Sequence, residues 1–309
     1  MSLDRIRLAS LHDKVISAEE ASAFIEDGMT VGMSGFTRAG EAKAVPLALV
    51  KRAHTNPLKI TLITGASLGN DLDKQLTEAG VLARRLPFQV DNTLRKAINN
   101  GEVMFIDQHL SETVEQMRNL QLKKPDVAII EAVAITEDGG IIPTTSVGNS
   151  ASFAIFAEKV IVEINTNLSP AFEGLHDIYI PTYRPTRQPI PLTQVDERIG
   201  THAINIDPAK IVGIVINNDL HDSPSTVTAP DDETQGIADH LIAFFEKEVA
   251  EERLPKNLGP LQAGIGSIAN AVLTGLKDSN FEDLVMYSEV LQDCTFELID
   301  AGKMKFASG

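Results

Sequence analysis

The chain has 309 residues and a formal charge of −16, from 27 Lys and Arg against 43 Asp and Glu, and 43% of its residues are hydrophobic. That length exceeds what one core ordinarily serves and predicts two α/β domains, or one and part of another. The composition excludes a disordered chain, and no apolar run reaches the about 18 residues of a helical membrane span.

Basic residues gather in nothing denser than pairs such as Arg84–Arg85 and Lys123–Lys124, which argues against nucleic acid or a membrane as partner. Phosphate-bearing ligands stay open, because backbone N–H groups at a helix start hold an anion through local dipoles whatever the total charge. One cysteine, Cys294, excludes an internal disulfide and a Cys-based zinc site. Seven His at wide spacings, without an HExxH pair, give no metal centre. The N-terminus mixes charges with short apolar groups, unlike a signal peptide, so a cytoplasmic protein is expected.

Short β-branched runs alternate with helical spacing, the pattern of βαβ units around a buried parallel sheet. Strands are expected at residues 30–34, 59–64, 103–106, 127–130, 160–164 and 211–215. Helices are expected at 18–26, 44–55, 70–79, 93–99 and 112–120, with Ser17, Asp91 and Ser111 placed as caps. Prolines at 170, 181, 185, 189 and 191 forbid regular helix between Ser169 and Arg198 and predict a long surface excursion.

The turn formers and acids from His221 to Asp232 mark a boundary between a first α/β domain, residues 1–225, and the first part of a second, residues 233–309. The second opens on an amphipathic helix from Glu233 to Glu252. It continues as strand (261–263), helix (267–276), strand (284–288), helix (295–301) and a strand beginning at 304–307. Stopping there leaves a sheet edge uncovered and a core half built, which reads as a truncated piece of a longer chain.

Chemistry concentrates between Leu261 and Asp293. A glycine turn, Gly264-Ile265-Gly266-Ser267-Ile268, opens an apolar helix, and Glu289 ends the apolar run Leu284 to Ser288. Two readings fit. One is a dinucleotide fingerprint, with Glu289 on a ribose hydroxyl about twenty residues past the turn. The other is a phosphate-bearing ligand on the turn, with Glu289 aimed at it as nucleophile or base. Two upstream turns, Gly32 to Gly40 and Thr144 to Ser150, are a second ligand edge or simply tight turns and a helix cap. Cys294 follows Asp293 at a helix start, where a thiolate is favoured, though a bystander fits as well.

The segments SGFTRAGEAKAVP (34–46), AITEDGGIIPTTSVGNS (134–150), EGLHDIY (173–179), GIGSIANAVLTGL (264–276) and YSEVLQD (287–293) resemble, in order and spacing, the acetyl-CoA hydrolase/transferase family of class I CoA-transferases. The resemblance runs from about Ala18 to the last residue. It implies two open α/β domains with the active site between them, Glu289 as the catalytic glutamate, and Gly264, Ile265, Gly266, Ser267 and Ile268 as the CoA-binding turn. Gly35, Phe36 and Thr37 would lie close to the acyl or carboxylate pocket.

The implied reaction moves CoA between an acyl-CoA and a small carboxylate of the acetate, propionate or succinate type, through a glutamyl-CoA thioester. No metal or permanently bound cofactor is required, and a homodimer is compatible. Hydrolysis of acetyl-CoA is the alternative, and a nicotinamide-binding domain a more distant one. Cys294 stands where the family commonly has glycine. Members also continue beyond the equivalent of Gly309, so this chain alone is expected to lack activity.

Overall fold

The computed structural model describes residues 3–223 and 229–308. The chain divides into two compact units, one of residues 3–188 with 200–223 and one of residues 189–199 with 229–308. The expected boundary position at 225 and the part of the turn-rich stretch covering 224–228 lie outside the described residues.

Eight strands form the sheet of the first unit: β1 (Thr30–Met33), β2 (Ile60–Thr64), β3 (Leu82–Leu86), β4 (Met104–Phe105), β5 (Val127–Ile135), β6 (Ile141–Pro143), β7 (Lys159–Asn165) and β8 (Ile211–Asn217). The order is β4-β3-β2-β1-β5-β7-β8, all parallel, with β6 antiparallel to β5. Helix α1 (Ala18–Ser22) precedes β1, and α2 (Ala44–Ala53), α3 (Leu72–Glu78), α4 (Asn92–Asn99), α5 (Leu110–Arg118) and α6 (Ser150–Phe156) lie between strands along the chain, as parallel crossovers require. Every residue of β5 is buried. Alternate residues serve opposite cores: Val127 and Ile129 join one apolar cluster, Ala128 and Ile130 the other.

Local signals acted where their geometry was available. Ser17 and Glu20 form a reciprocal capping box on α1, and Asp91 accepts from Leu94 N at 2.8 Å to cap α4. Ser111 does not cap: α5 starts at Leu110 behind His109, two residues earlier than expected, which places Ser111 inside the first turn. Three elements lack an expectation. In β3, Arg84 and Arg85 interrupt the apolar pattern, yet Arg85 is wholly buried against Asp73, Nε to Oδ1 2.8 Å. The strand β6 is only three residues long. Helix α6 is buried over its first five residues and so lacks the one-sided spacing that marks a surface helix.

The second unit holds a parallel three-stranded sheet, with β10 (Leu284–Tyr287) between β9 (Pro260–Leu261) and β11 (Met304–Ser308). Its helices are α7 (Asp232–Ala250), α8 (Ser267–Asp278) and α9 (Asp293–Asp300). The core contains Leu258, Leu273, Leu276, Phe281, Leu284, Met286, Leu298 and Met304. Asp231 caps α7 by accepting from Thr234 N at 2.8 Å. Among the described residues, no helix is long and apolar enough to cross a membrane.

Candidate active site

In the second unit, β9 runs into the glycine turn and then α8, while β10 ends at Tyr287 just before Ser288 and Glu289. Gly266, at φ 115°, adopts a backbone that side chains disfavour, and a Cβ added at Gly264 or Gly266 would meet nothing within 4 Å. The turn is therefore uncrowded at both glycines. Ile265 and Ile268 of the turn and Tyr287 at the end of β10 are exposed.

Glu289 is exposed, and its carboxylate has no hydrogen-bond or ion-pair partner among the described residues. Residues on both sides of it are tied to the glycine turn. Ser288 Oγ donates to Ala263 O at 3.0 Å and accepts from Ala263 N at 3.3 Å. Gln292 Nε2 donates to Gly264 O at 2.9 Å, and Gln292 Oε1 accepts from Gly266 N at 3.3 Å. The sequence reading of this stretch missed Ser288 and Gln292; the signal available was two amide or hydroxyl side chains flanking a lone carboxylate. Cys294 is buried in α9, and burial pushes its thiol up, so a reactive thiolate is disfavoured.

Gly35, Phe36 and Thr37 belong to the first unit, where three strand ends bring three turns together. Phe36 and Ala39 exchange backbone hydrogen bonds, Arg38 N donates to Ser67 O at 3.2 Å, and Ser146 Oγ donates to Ala39 O at 2.8 Å. Thr37 and Arg38 both have positive φ. A Cβ at Gly65 would lie 2.5 Å from Gly35 O, and one at Gly40 would lie 2.4 Å from Ser146 Oγ, so glycine is required by close approach.

Behind these turns is a buried charge cluster that sequence reasoning also missed. Lys43 Nζ pairs with the Glu131 carboxylate, with Asp222 Oδ1 at 2.7 Å, and donates to Glu41 O at 2.7 Å. Glu131 Oε1 accepts from Thr144 Oγ1 at 2.9 Å. Glu163, on β7, receives the backbone N–H groups of Lys43, Ala44 and Val45 at 2.8, 2.9 and 3.1 Å. It thereby supplies the N-terminal anion that α2 lacks locally. Asn70 Nδ2 donates to Glu41 Oε1 at 2.9 Å, while Glu41 Oε2 is buried without a hydrogen bond.

Burial alone would lower the Lys43 pKa, but Glu131 and Asp222 outweigh it and hold Lys43 above the ordinary lysine range. Burial raises Glu41 and Glu163, and pushes Glu131 up to about 7 against the pull of Lys43. The sign follows for stability. A carboxyl whose folded pKa is raised favours the fold most below pH 4.5 and loses that contribution as pH climbs to about 7. Glu131→Gln should thus gain on the parent across that window, by about 3 kcal/mol at most. Urea unfolding at pH 4.5 and pH 8 measures the difference, and a difference that does not change with pH contradicts the assignment.

Among the described residues, no group of three or more His, Cys, Asp or Glu side chains is arranged to hold a metal ion. The sheets and their turns define an α/β protein built on mostly parallel sheets, with glycine turns at strand ends. Residues 2–216 match the family described as acetyl-CoA hydrolase/transferase N-terminal domain, and the chain belongs to that family.

It is 46% identical over 307 residues to a succinyl-CoA:acetate CoA-transferase of Clostridium kluyveri, covering 99% of this chain and 57% of that protein. It is 43% identical over 316 residues to an acetyl-CoA hydrolase of Kluyveromyces lactis, covering 99% and 60%. The chain thus spans less than two thirds of either relative. Its fold is similar to that of RipA from Yersinia pestis, with a TM-score of 0.68 at 18% identity over 97% of this chain and 65% of that one.

Proposed function

We propose that the protein carries the nucleophile of a CoA-transferase acting between an acyl-CoA and a small carboxylate. The observation that carries this reading is Glu289. It is an exposed carboxylate without a partner among the described residues, bracketed by Ser288 and Gln292, which are both bonded to an open glycine turn. A carboxylate held against a bound thioester can attack it, because orientation removes much of the barrier. Gly264, Ile265, Gly266, Ser267 and Ile268 are the proposed CoA contacts, where glycine lets the ligand approach the backbone. Gly35, Phe36 and Thr37 are the proposed substrate-pocket residues of the first unit.

In the proposed route, a Glu289 oxygen attacks the acyl-CoA carbonyl and expels CoA thiolate, giving an acyl-glutamyl anhydride. The thiolate attacks the glutamyl carbonyl, the acyl carboxylate leaves, and a glutamyl-CoA thioester remains. A second carboxylate repeats these steps in reverse and departs as the new acyl-CoA. Each attack passes through an oxyanion that hydrogen-bond donors must stabilise, and one such donor is typically worth about 100- to 1,000-fold in rate.

The test uses a chain extended to the length of the relatives it matches. Incubated with acyl-CoA, it should gain the mass of CoA on the peptide containing Glu289, and Glu289→Ala should abolish that gain. An adduct that persists in the variant overturns the proposal. Acetyl-CoA hydrolysis is the second reading, favoured by the 43% identity to an acetyl-CoA hydrolase. It predicts acyl-CoA loss that does not depend on added acetate or succinate.

A further inference from the structure

The Pro-rich excursion is fastened to α5 by arginines that outnumber their carboxylates. Arg118 Nη1 donates to Glu115 Oε1 at 2.8 Å. Arg187 Nη1 lies 3.5 Å from the same oxygen, and Arg184 Nε lies 3.7 Å from Glu115 Oε2. Three guanidinium groups therefore share one carboxylate, leaving about two positive charges uncompensated at that point, in a chain whose formal charge is −16.

The last two distances exceed the hydrogen-bonding range, and the guanidinium groups of Arg184 and Arg187 donate no hydrogen bond among the described residues. Each presents up to about five N–H donors, held in place by charge but unused. Arg118 adds a further one: its side chain is 4% exposed, and its Nε is buried with no acceptor. The Arg118 guanidinium also lies 5.3 Å from the centroid of the Tyr183 ring, which is itself half exposed.

This arrangement differs from an ordinary surface ion pair, in which donors and acceptors roughly balance. Prolines 181, 185 and 189 keep the segment out of regular structure. Arg184 and Arg187 are thus presented from an irregular loop toward a fixed helix. Guanidinium forks match the oxygens of a phosphate two at a time, and several converging on one point are the usual means of recognising that group. We infer that Arg118, Arg184 and Arg187 form an anion site for the phosphate of a small molecule, which Glu115 partly occupies when the site is empty.

Two sources share this chemistry, inorganic phosphates and the phosphorylated nucleotide of a coenzyme, and Tyr183 separates them because an exposed ring can stack on a base. The chain is titrated calorimetrically at low salt with inorganic pyrophosphate, adenosine 3′,5′-bisphosphate and coenzyme A. Saturable binding is expected, weakened at least about tenfold by Arg184→Ser with Arg187→Ser, two positions exposed enough to spare the fold.

Glu115→Gln should tighten binding severalfold by removing the competing carboxylate, an effect that a purely structural role for these residues would not produce. If the nucleotides bind tighter than pyrophosphate and Tyr183→Leu erases the difference, the ligand is a nucleotide; equal affinities assign an inorganic phosphate. No saturable binding of any probe, unchanged affinity in the double variant, or weaker binding in Glu115→Gln would each overturn the site.

Discussion

Glu289→Gln, in a chain extended to the length of its relatives, is expected to lose CoA exchange by on the order of 1,000-fold or more, with little change in the unfolding midpoint. The amide keeps the size of the side chain but cannot form the anhydride or the thioester, so the proposed covalent route closes. The fold should not suffer, because Glu289 is exposed and its carboxylate has no partner among the described residues. Glu289→Asp separates position from chemistry. It keeps the proposed nucleophile but withdraws it by one methylene, and a misplacement of about 1 Å costs roughly 100-fold. The expected order is parent, then Asp, then Gln, read from the initial rate of acyl-CoA formation with acetate as acceptor. A Gln variant within about tenfold of the parent would remove Glu289 from the chemistry.

Much of this arrangement was legible in the residues, and the exceptions share a cause. Periodicity found β1, β2, β5, β7 and β8 because each is an apolar run with polar ends, and it placed the helix–strand alternation of the second unit. It passed over β3 because local pattern cannot reveal that Arg85 is neutralised by Asp73 twelve residues away. The same blindness hid the buried cluster. Glu131 and Glu163 each stand alone inside an apolar strand, VAIIEAVAI and KVIVEIN. A lone carboxylate in such a run needs a partner, the same reasoning that singled out Glu289 at the end of its own run. What the sequence withheld was the partner: Lys43 is 88 residues from Glu131, and only the parallel sheet joins them. Ser111 failed as a cap for a smaller reason, a helix start displaced by two residues, which spacing alone does not fix.

Lys43→Met should be among the most damaging single substitutions in the first unit, costing about 3–5 kcal/mol at pH 8. Lys43 is the cation in a wholly buried setting that also contains Glu41, Glu131 and Glu163, with partly buried Asp222 at its edge. Removing it strands carboxylates that have no water to turn to. Methionine fills the volume of the lysine stem, so the loss reports charge rather than a cavity.

The cost must also depend on pH. Without Lys43 the cluster escapes its repulsion by taking up protons on carboxyls that burial has already raised, Glu131, at about 7, among them. The variant should therefore be less impaired at pH 5 than at pH 8. Adding Glu131→Gln should recover part of the loss at pH 8, because a neutral amide no longer needs the cation. Urea melts of the parent, both single variants and the double variant at the two pH values close the cycle. Coupling near zero between positions 43 and 131 would mean that the pair contributes through packing alone. A coupling energy of about 1 kcal/mol or more that shrinks on acidification would identify the ion pair itself as what holds the three turns in register.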